Sequence, residues 1–240
     1  MSFPKKIKIP ILLLFVFTVL VFFTSNAIKI YASEAISVTD SVYSGTVYPN
    51  AVTPDYNVAR LTIFADGGSN TTGSSGSGNI TDFGVHAFVT IKNSNTSAIQ
   101  VGGLTGIAPG KTVSVGTWGN KSEHNGVWYN LEEKFIANQD AYKSRVSLTI
   151  DLSSGQLQAV NNYIKNHDDW GYTNNCSSFA VGIWNTVAAT TLSAGTINTP
   201  KNLANSIKSK SGYISGMAVP NDYLVYYANG ANAPIRSRSF

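Results

Sequence analysis

The chain has 240 residues, with 17 Lys plus Arg against 13 Asp plus Glu, and a single cysteine. Four of the basic residues and none of the acids fall in the first 32 positions, so the rest carries 13 of each sign and is formally neutral. The net charge of +4 therefore gives the folded part no basic face for nucleic acid. One cysteine and three scattered histidines also exclude an internal disulfide framework and a structural zinc set.

At the start of the chain Lys5, Lys6 and Lys8 precede an uncharged run from Ile11 to Phe23, and small polar residues follow. This order predicts a secretory signal peptide over 1–32, cleaved after Ala32, with Ala35 or Ala27 as alternatives. The apolar run is shorter than the roughly 20 residues of a spanning helix, and an uncleaved anchor is the other reading, the one route to a membrane. The protein is expected to be secreted, extracellular or associated with a cell wall. The remaining 208 residues suffice for one domain, and their wealth of Gly, Ser, Thr and Asn suits a β-rich extracellular protein.

Residues 33–80 read as a leader with edge strands, including a strand over 60–65 (RLTIFA), and a Gly/Ser-rich loop over 67–78. The domain proper is expected over 81–240. Strands are predicted over 85–92 (VHAFVTIK), 98–102 as its hairpin partner, 111–118 (KTVSVGTW), 126–132 (GVWYNLE) and 147–152. From Ser154 the period changes to that of a helix, with Leu157, Val160 and Ile164 on one face. A second helix starts near Cys176 and a third at Thr199–Pro200, a capping residue followed by Pro at the first helical position. The tail YLVYYANG is read as an edge strand. The fold class is α+β, an antiparallel β-sheet packed against helices on one side.

Cys176 follows Asn174 and Asn175, which are cap formers, so it belongs in a first helical turn. The helix dipole there favours the thiolate, and free amides can hold an oxyanion. The bland alternative is a small buried hydrophobe. His86 opens a strand and can supply the imidazole that a thiol nucleophile needs; a core histidine held by a carbonyl is the alternative. His124 and His167 have polar, turn-like flanks and read as solvated.

A strand opening in His86, a strand ending in Gly116-Thr117-Trp118-Gly119 and a helix opening in Asn175-Cys176-Ser177-Ser178-Phe179-Ala180 resemble the circularly permuted papain-like enzymes. These are relatives of NlpC-type cell-wall peptidases and of the lecithin:retinol acyltransferase group. The resemblance spans about 82–210 and places the histidine before the cysteine, as in the permuted branch. It implies a permuted papain-like fold and a cysteine hydrolase acting on an amide or peptide bond, with cell-wall peptide stems or similar peptides as substrate. An acyltransferase or deamidase with the same dyad, and a non-catalytic secreted binding module, are the other readings. No metal or organic cofactor is required.

The resemblance also implies a third polar residue that orients His86. Asn120 is the first candidate and Thr117 the next, with Asn130 and Glu132 also open. Trp118, Asn175 and Tyr172 are candidate substrate-binding residues, with Trp128 and Trp170 as further aromatic candidates for a cleft; each aromatic has core packing as its alternative.

Overall fold

The run ARLTIFADG is apolar with little alternation, the pattern of a strand covered on both faces. It forms β1 (Ala59–Gly67), buried along almost its whole length. The computed structural model describes residues 56–68 and 85–240; the signal segment, residues 33–55 and most of the Gly/Ser-rich loop lie outside the described residues. The other strands are β2 (Val85–Asn93), β3 (Ile99–Val101), β4 (Leu104–Ile107), β5 (Thr112–Trp118), β6 (Gly126–Tyr129), β7 (Val146–Leu152), β8 (Ile214–Ser215), β9 (Tyr226–Asn229) and β10 (Asn232–Arg236). Eight of them make one sheet in the order β10-β9-β6-β5-β2-β1-β7-β8, with every neighbouring pair antiparallel.

β1 therefore lies between β2 and β7 in the interior of the sheet. This corrects the division that put residues 33–80 in a leader with edge strands: at least 59–67 belong to the domain. Two further strand expectations change. Residues 99–101 pair with β4 in a separate two-stranded sheet and not with β2. The tail strand β9 is bonded on both sides, to β6 and to β10.

Alternation along β1 sends Leu61, Ile63 and Ala65 to one face and Thr62, Phe64 and Asp66 to the other. The first face is covered by α2 (Ser154–Asn166), α3 (Cys176–Val187) and α4 (Pro200–Lys208), through Leu157, Val160, Ile164, Phe179, Ile183, Leu203 and Ile207. The second face carries α1 (Leu131–Gln139) and a smaller core of Phe64, Phe88, Trp128, Leu131, Phe135 and Tyr142. Helices thus lie on both faces, where one-sided packing was expected. Phe64 and Phe88 face each other across β1 and β2 with ring centroids 4.9 Å apart, a stacked cross-strand pair.

Each helix begins where its sequence directs it. Ser153 and Gln156 form a reciprocal capping box at α2, with bonds of 3.3 and 2.9 Å. Thr199 caps α4, whose first residue is Pro200. α1 is the exception to the sequence reading. The strand expected over 126–132 stops at Tyr129, because Asn130 adopts a left-handed backbone with φ 63°. Asparagine tolerates that region better than most residues. Its buried side chain accepts from Ser114 N at 3.2 Å and donates to Leu224 O at 2.9 Å, which fixes the turn. Glu132 and Glu133 consequently lie in the first turn of a helix.

Glu133 is fully buried, and neither carboxyl oxygen has a hydrogen-bond partner among the described residues. Burial raises its pKa from 4.5 to about 9; the backbone N–H groups of Asp222 and Ser114 oppose the rise, and the charges of Asp222 and Glu132 add to it. Between these values the folded chain holds a proton that the unfolded chain has lost, so Glu133 makes stability fall as pH rises. Glu133→Gln is expected to gain on the order of 1–3 kcal/mol over the parent near about pH 8 and little near about pH 4. Urea denaturation at both pH values checks this; an equal gain at both would show that the carboxyl is not held neutral by the fold.

Candidate active site

β2 and β5 pair from Lys92↔Thr112 to Val89↔Val115 and then part. β2 stays bonded to β1 as far as Val85, while β5 follows β6 as far as Trp118. The β2 edge at His86–Phe88 is thereby left without a strand on that side. α3 packs against both strands, and its first residue, Cys176, accepts a hydrogen bond from the Ala87 N–H. A backbone donor with no ladder partner is thus satisfied by the sulfur. Cys176 is partly exposed and has no disulfide.

Asn175 places the sulfur. Its Oδ1 accepts from Ser177 N at 2.9 Å and Ser178 N at 3.4 Å, capping α3. Its Nδ2 donates to Asn198 O at 2.8 Å and to Tyr172 O at 3.3 Å. The side-chain polar atoms of Asn175 are committed to the scaffold, so the substrate-binding role expected for it becomes a capping role.

His86 points to the same face as Phe88 and is 4 % exposed. Its ring is hydrogen-bonded to Cys176 on one side, and its Nε2 donates to Glu132 Oε1 at 3.0 Å on the other. With Nε2 so engaged, Nδ1 is the nitrogen left for the thiol. Glu132 is fully buried and also accepts from Trp118 Nε1 at 2.8 Å and from Ser114 Oγ at 2.9 Å. Trp118 lies over His86 with centroids 4.2 Å apart, and the Lys121 ammonium sits 4.3 Å above the Trp118 ring. Gly116 makes this packing possible. A Cβ there would run into Glu132 Oε1 and stand 3.2 Å from His86 Nε2.

Tyr142 also packs against His86, at 5.5 Å, with a left-handed backbone of φ 54° and a buried hydroxyl that has no partner among the described residues. Asp66, opposite His86 on β1, holds this segment by accepting from Ser144 N at 2.9 Å.

The pair is electrostatically coupled. Burial alone would lower the His86 pKa, but the charge and hydrogen bond of Cys176, followed by those of Glu132, outweigh it and raise the value to about 9. Burial alone would raise the Cys176 pKa, yet the His86 charge and hydrogen bond, the Ala87 N–H and the Ser177 hydroxyl bring it below the ordinary thiol value. The arrangement shifts the pair towards thiolate and imidazolium.

Of the residues singled out from the sequence, Cys176 and His86 meet, and Glu132 is the third member. Asn120 is exposed in the bend after β5, while Glu132 occupies His86 Nε2. Thr117 is buried with no partner for its Oγ1 among the described residues, on the β5 face opposite Gly116 and Trp118. Asn130 bonds Ser114 N and Leu224 O and serves the turn. Trp118 is half-buried and orients His86 and Glu132. Tyr172 is 82 % exposed beside the start of α3. Trp128 is a core residue whose Nε1 donates to His124 O at 3.1 Å.

His124 and His167 are partnered and half-buried, contrary to the solvated reading. His124 Nε2 is 2.7 Å from Asp168 Oδ1, and His167 stacks on Tyr163 at 3.8 Å. Ser114 and Gly116 were missed as site residues. Their signal was positional, since Ser114, Gly116 and Trp118 share one face of β5.

Among the described residues no group of His, Cys, Asp and Glu could hold a metal ion, and no helix is long and apolar enough to cross a membrane. Comparison of the chain with family models, curated proteins and solved structures finds no match.

Glu132→Gln removes the charge that favours the imidazolium, so Cys176 should lose thiolate at acid pH. Iodoacetamide alkylation near about pH 6 is expected to slow about 10-fold, with the half-maximal rate moving towards the free-thiol value of about 8.5. Gly116→Ala should act in the same direction by displacing Glu132. A pH profile unchanged in both variants would remove Glu132 from the site.

Proposed function

We propose that this chain is a secreted cysteine hydrolase that cleaves an amide or peptide bond, with cell-wall peptide stems or similar peptides as its substrate. The observation that carries the reading is the buried chain Cys176–His86–Glu132 at the parting of β2 and β5. The order of the elements and the Asn175-Cys176-Ser177 string support a permuted papain-like arrangement.

In this reading the Cys176 thiolate attacks the carbonyl carbon and forms a tetrahedral oxyanion. Asn175 already occupies the amides of Ser177 and Ser178, so the Cys176 N–H is the helix-end donor for the oxyanion. His86 gives its proton to the leaving nitrogen as the C–N bond breaks, leaving a thioester on Cys176. His86 then takes a proton from water, the hydroxyl adds to the thioester, and the carboxylic product leaves as the thiol is restored. Glu132 and Trp118 hold the imidazole throughout, and no cofactor takes part.

The test is the pH dependence of iodoacetamide alkylation in the parent and in His86→Ala. The parent thiol should react well below its ordinary pKa of about 8.5, and the variant should lose about 10-fold or more of that acid-side rate. Cys176→Ser should abolish release of peptides from cell-wall material. A thiol that is inert, or indifferent to His86, would leave a secreted β-rich binding domain.

A further inference from the structure

Nine large apolar side chains are exposed among the described residues, and three of them stand on two loops at the start of α3: Trp170 (39 %), Tyr172 (82 %) and Ile197 (63 %). The loops are fastened to each other and to the helix cap. Asn198 Nδ2 donates to Thr173 O at 3.0 Å, Asn175 Nδ2 donates to Asn198 O at 2.8 Å, and Gly171 N donates to Asn174 O at 2.9 Å. Trp170 lies against Gly119, where a Cβ would run into its ring, and Gly119 directly follows Trp118 in the chain. The exposure of these side chains therefore belongs to a bonded framework.

Three charged side chains of the neighbouring segments are already engaged. Asp168 accepts from Val127 N at 2.8 Å and pairs with His124, Asp169 accepts from Asn174 Nδ2 at 2.8 Å, and Lys121 lies on the Trp118 ring. The mouth of the site offers apolar surface, which rewards an apolar ligand group and leaves a charged one desolvated without a partner.

We infer that Trp170, Tyr172 and Ile197 form a specificity subsite for an uncharged aliphatic or aromatic side chain on the acyl side of the bond attacked by Cys176. Tyr172 and Ile197 stand at the helix start that carries the sulfur, where the acyl part stays after the leaving group has gone. The inference rests on the proposed catalytic pair and deepens it: the substrate is a peptide with an apolar residue contributing the scissile carbonyl.

The probes are p-nitrophenyl esters of N-acetylated Gly, Leu, Phe, Glu and Lys. The Cys176 thiolate adds to the ester carbonyl, the bond to p-nitrophenolate breaks, and the released phenolate is read by absorbance. Each rate is divided by that of the same ester with N-acetylcysteine, which removes intrinsic reactivity. The Leu and Phe esters should exceed Gly by about 10- to 100-fold, with Glu and Lys no better than Gly. In the double variant Tyr172→Ser/Ile197→Ser the preference should shrink to within about 3-fold while iodoacetamide alkylation is unchanged. Both side chains are exposed, so the fold does not depend on them. A reactive thiol with a flat series, a preference for Glu or Lys, or a preference that survives the double variant would overturn the subsite alone. A parent thiol inert to iodoacetamide at acid pH would overturn the catalytic pair and the subsite with it.

Discussion

The parting of β2 from β5 beyond Val89 and Val115 is the constraint on which the rest of the site depends. A continuous ladder would seal the Ala87 N–H against β5 and leave no opening between the two faces of the sheet. Because β5 turns away with β6, the sulfur at the head of α3, from one face, meets an imidazole that belongs to the other. The Cys176–His86 pair thus links the two sides of the sheet. A sheet edge made in the interior is normally a liability, since it exposes unpaired backbone groups. Here the thiol supplies the missing acceptor.

Burial then sets the electrostatics. His86 and Glu132 are nearly or fully enclosed, and enclosure alone would drive the imidazole neutral. Cys176, followed by Glu132, reverses that; Glu132 accepts bonds from His86, Trp118 and Ser114, so that its oxygens are satisfied by donors. Removing one member of such a buried set costs far more than the set contributes as a whole, because the group left behind has no solvent to turn to. This explains why the supports are themselves locked: Trp118 by Lys121 and Phe135, Gly116 by the absence of a side chain, and the Tyr142 segment by Asp66.

The sequence carried the elements with strong periodicity and local caps. β2, β5, α2, α3 and α4 lie where their patterns put them, and Cys176 and His86 were legible because a capped helix start and a strand opening are local signals. The third residue was not. Its position depends on Asn130, where one left-handed residue converts an expected strand into a helix and swings Glu132 over Gly116. Without that turn Glu132 lies on an extended strand, and Asn120, nearer the end of β5, is the first candidate. β1 was misplaced at an edge for a related reason: a strand reveals its local conformation, whereas its neighbours are chosen by residues far along the chain, here Asn93 and Leu152 opposite Ala59.

An acid as third member has a chemical consequence that an amide would not have. An asparagine can orient an imidazole, but it adds no charge to favour the protonated ring. Glu132 adds to the pull of the Cys176 thiolate, and together they hold the His86 pKa near about 9 against burial. An imidazolium that persists so far above neutrality extends the ion pair towards alkaline pH. It also makes His86 a weaker donor to a departing nitrogen than a histidine with an ordinary pKa would be. In the proposed mechanism the pair gains thiolate character at the cost of acid strength when the leaving group departs. For the proposed hydrolase, that balance suits a substrate positioned by contacts away from the reacting atoms, the part proposed for the loops carrying Trp170, Tyr172 and Ile197.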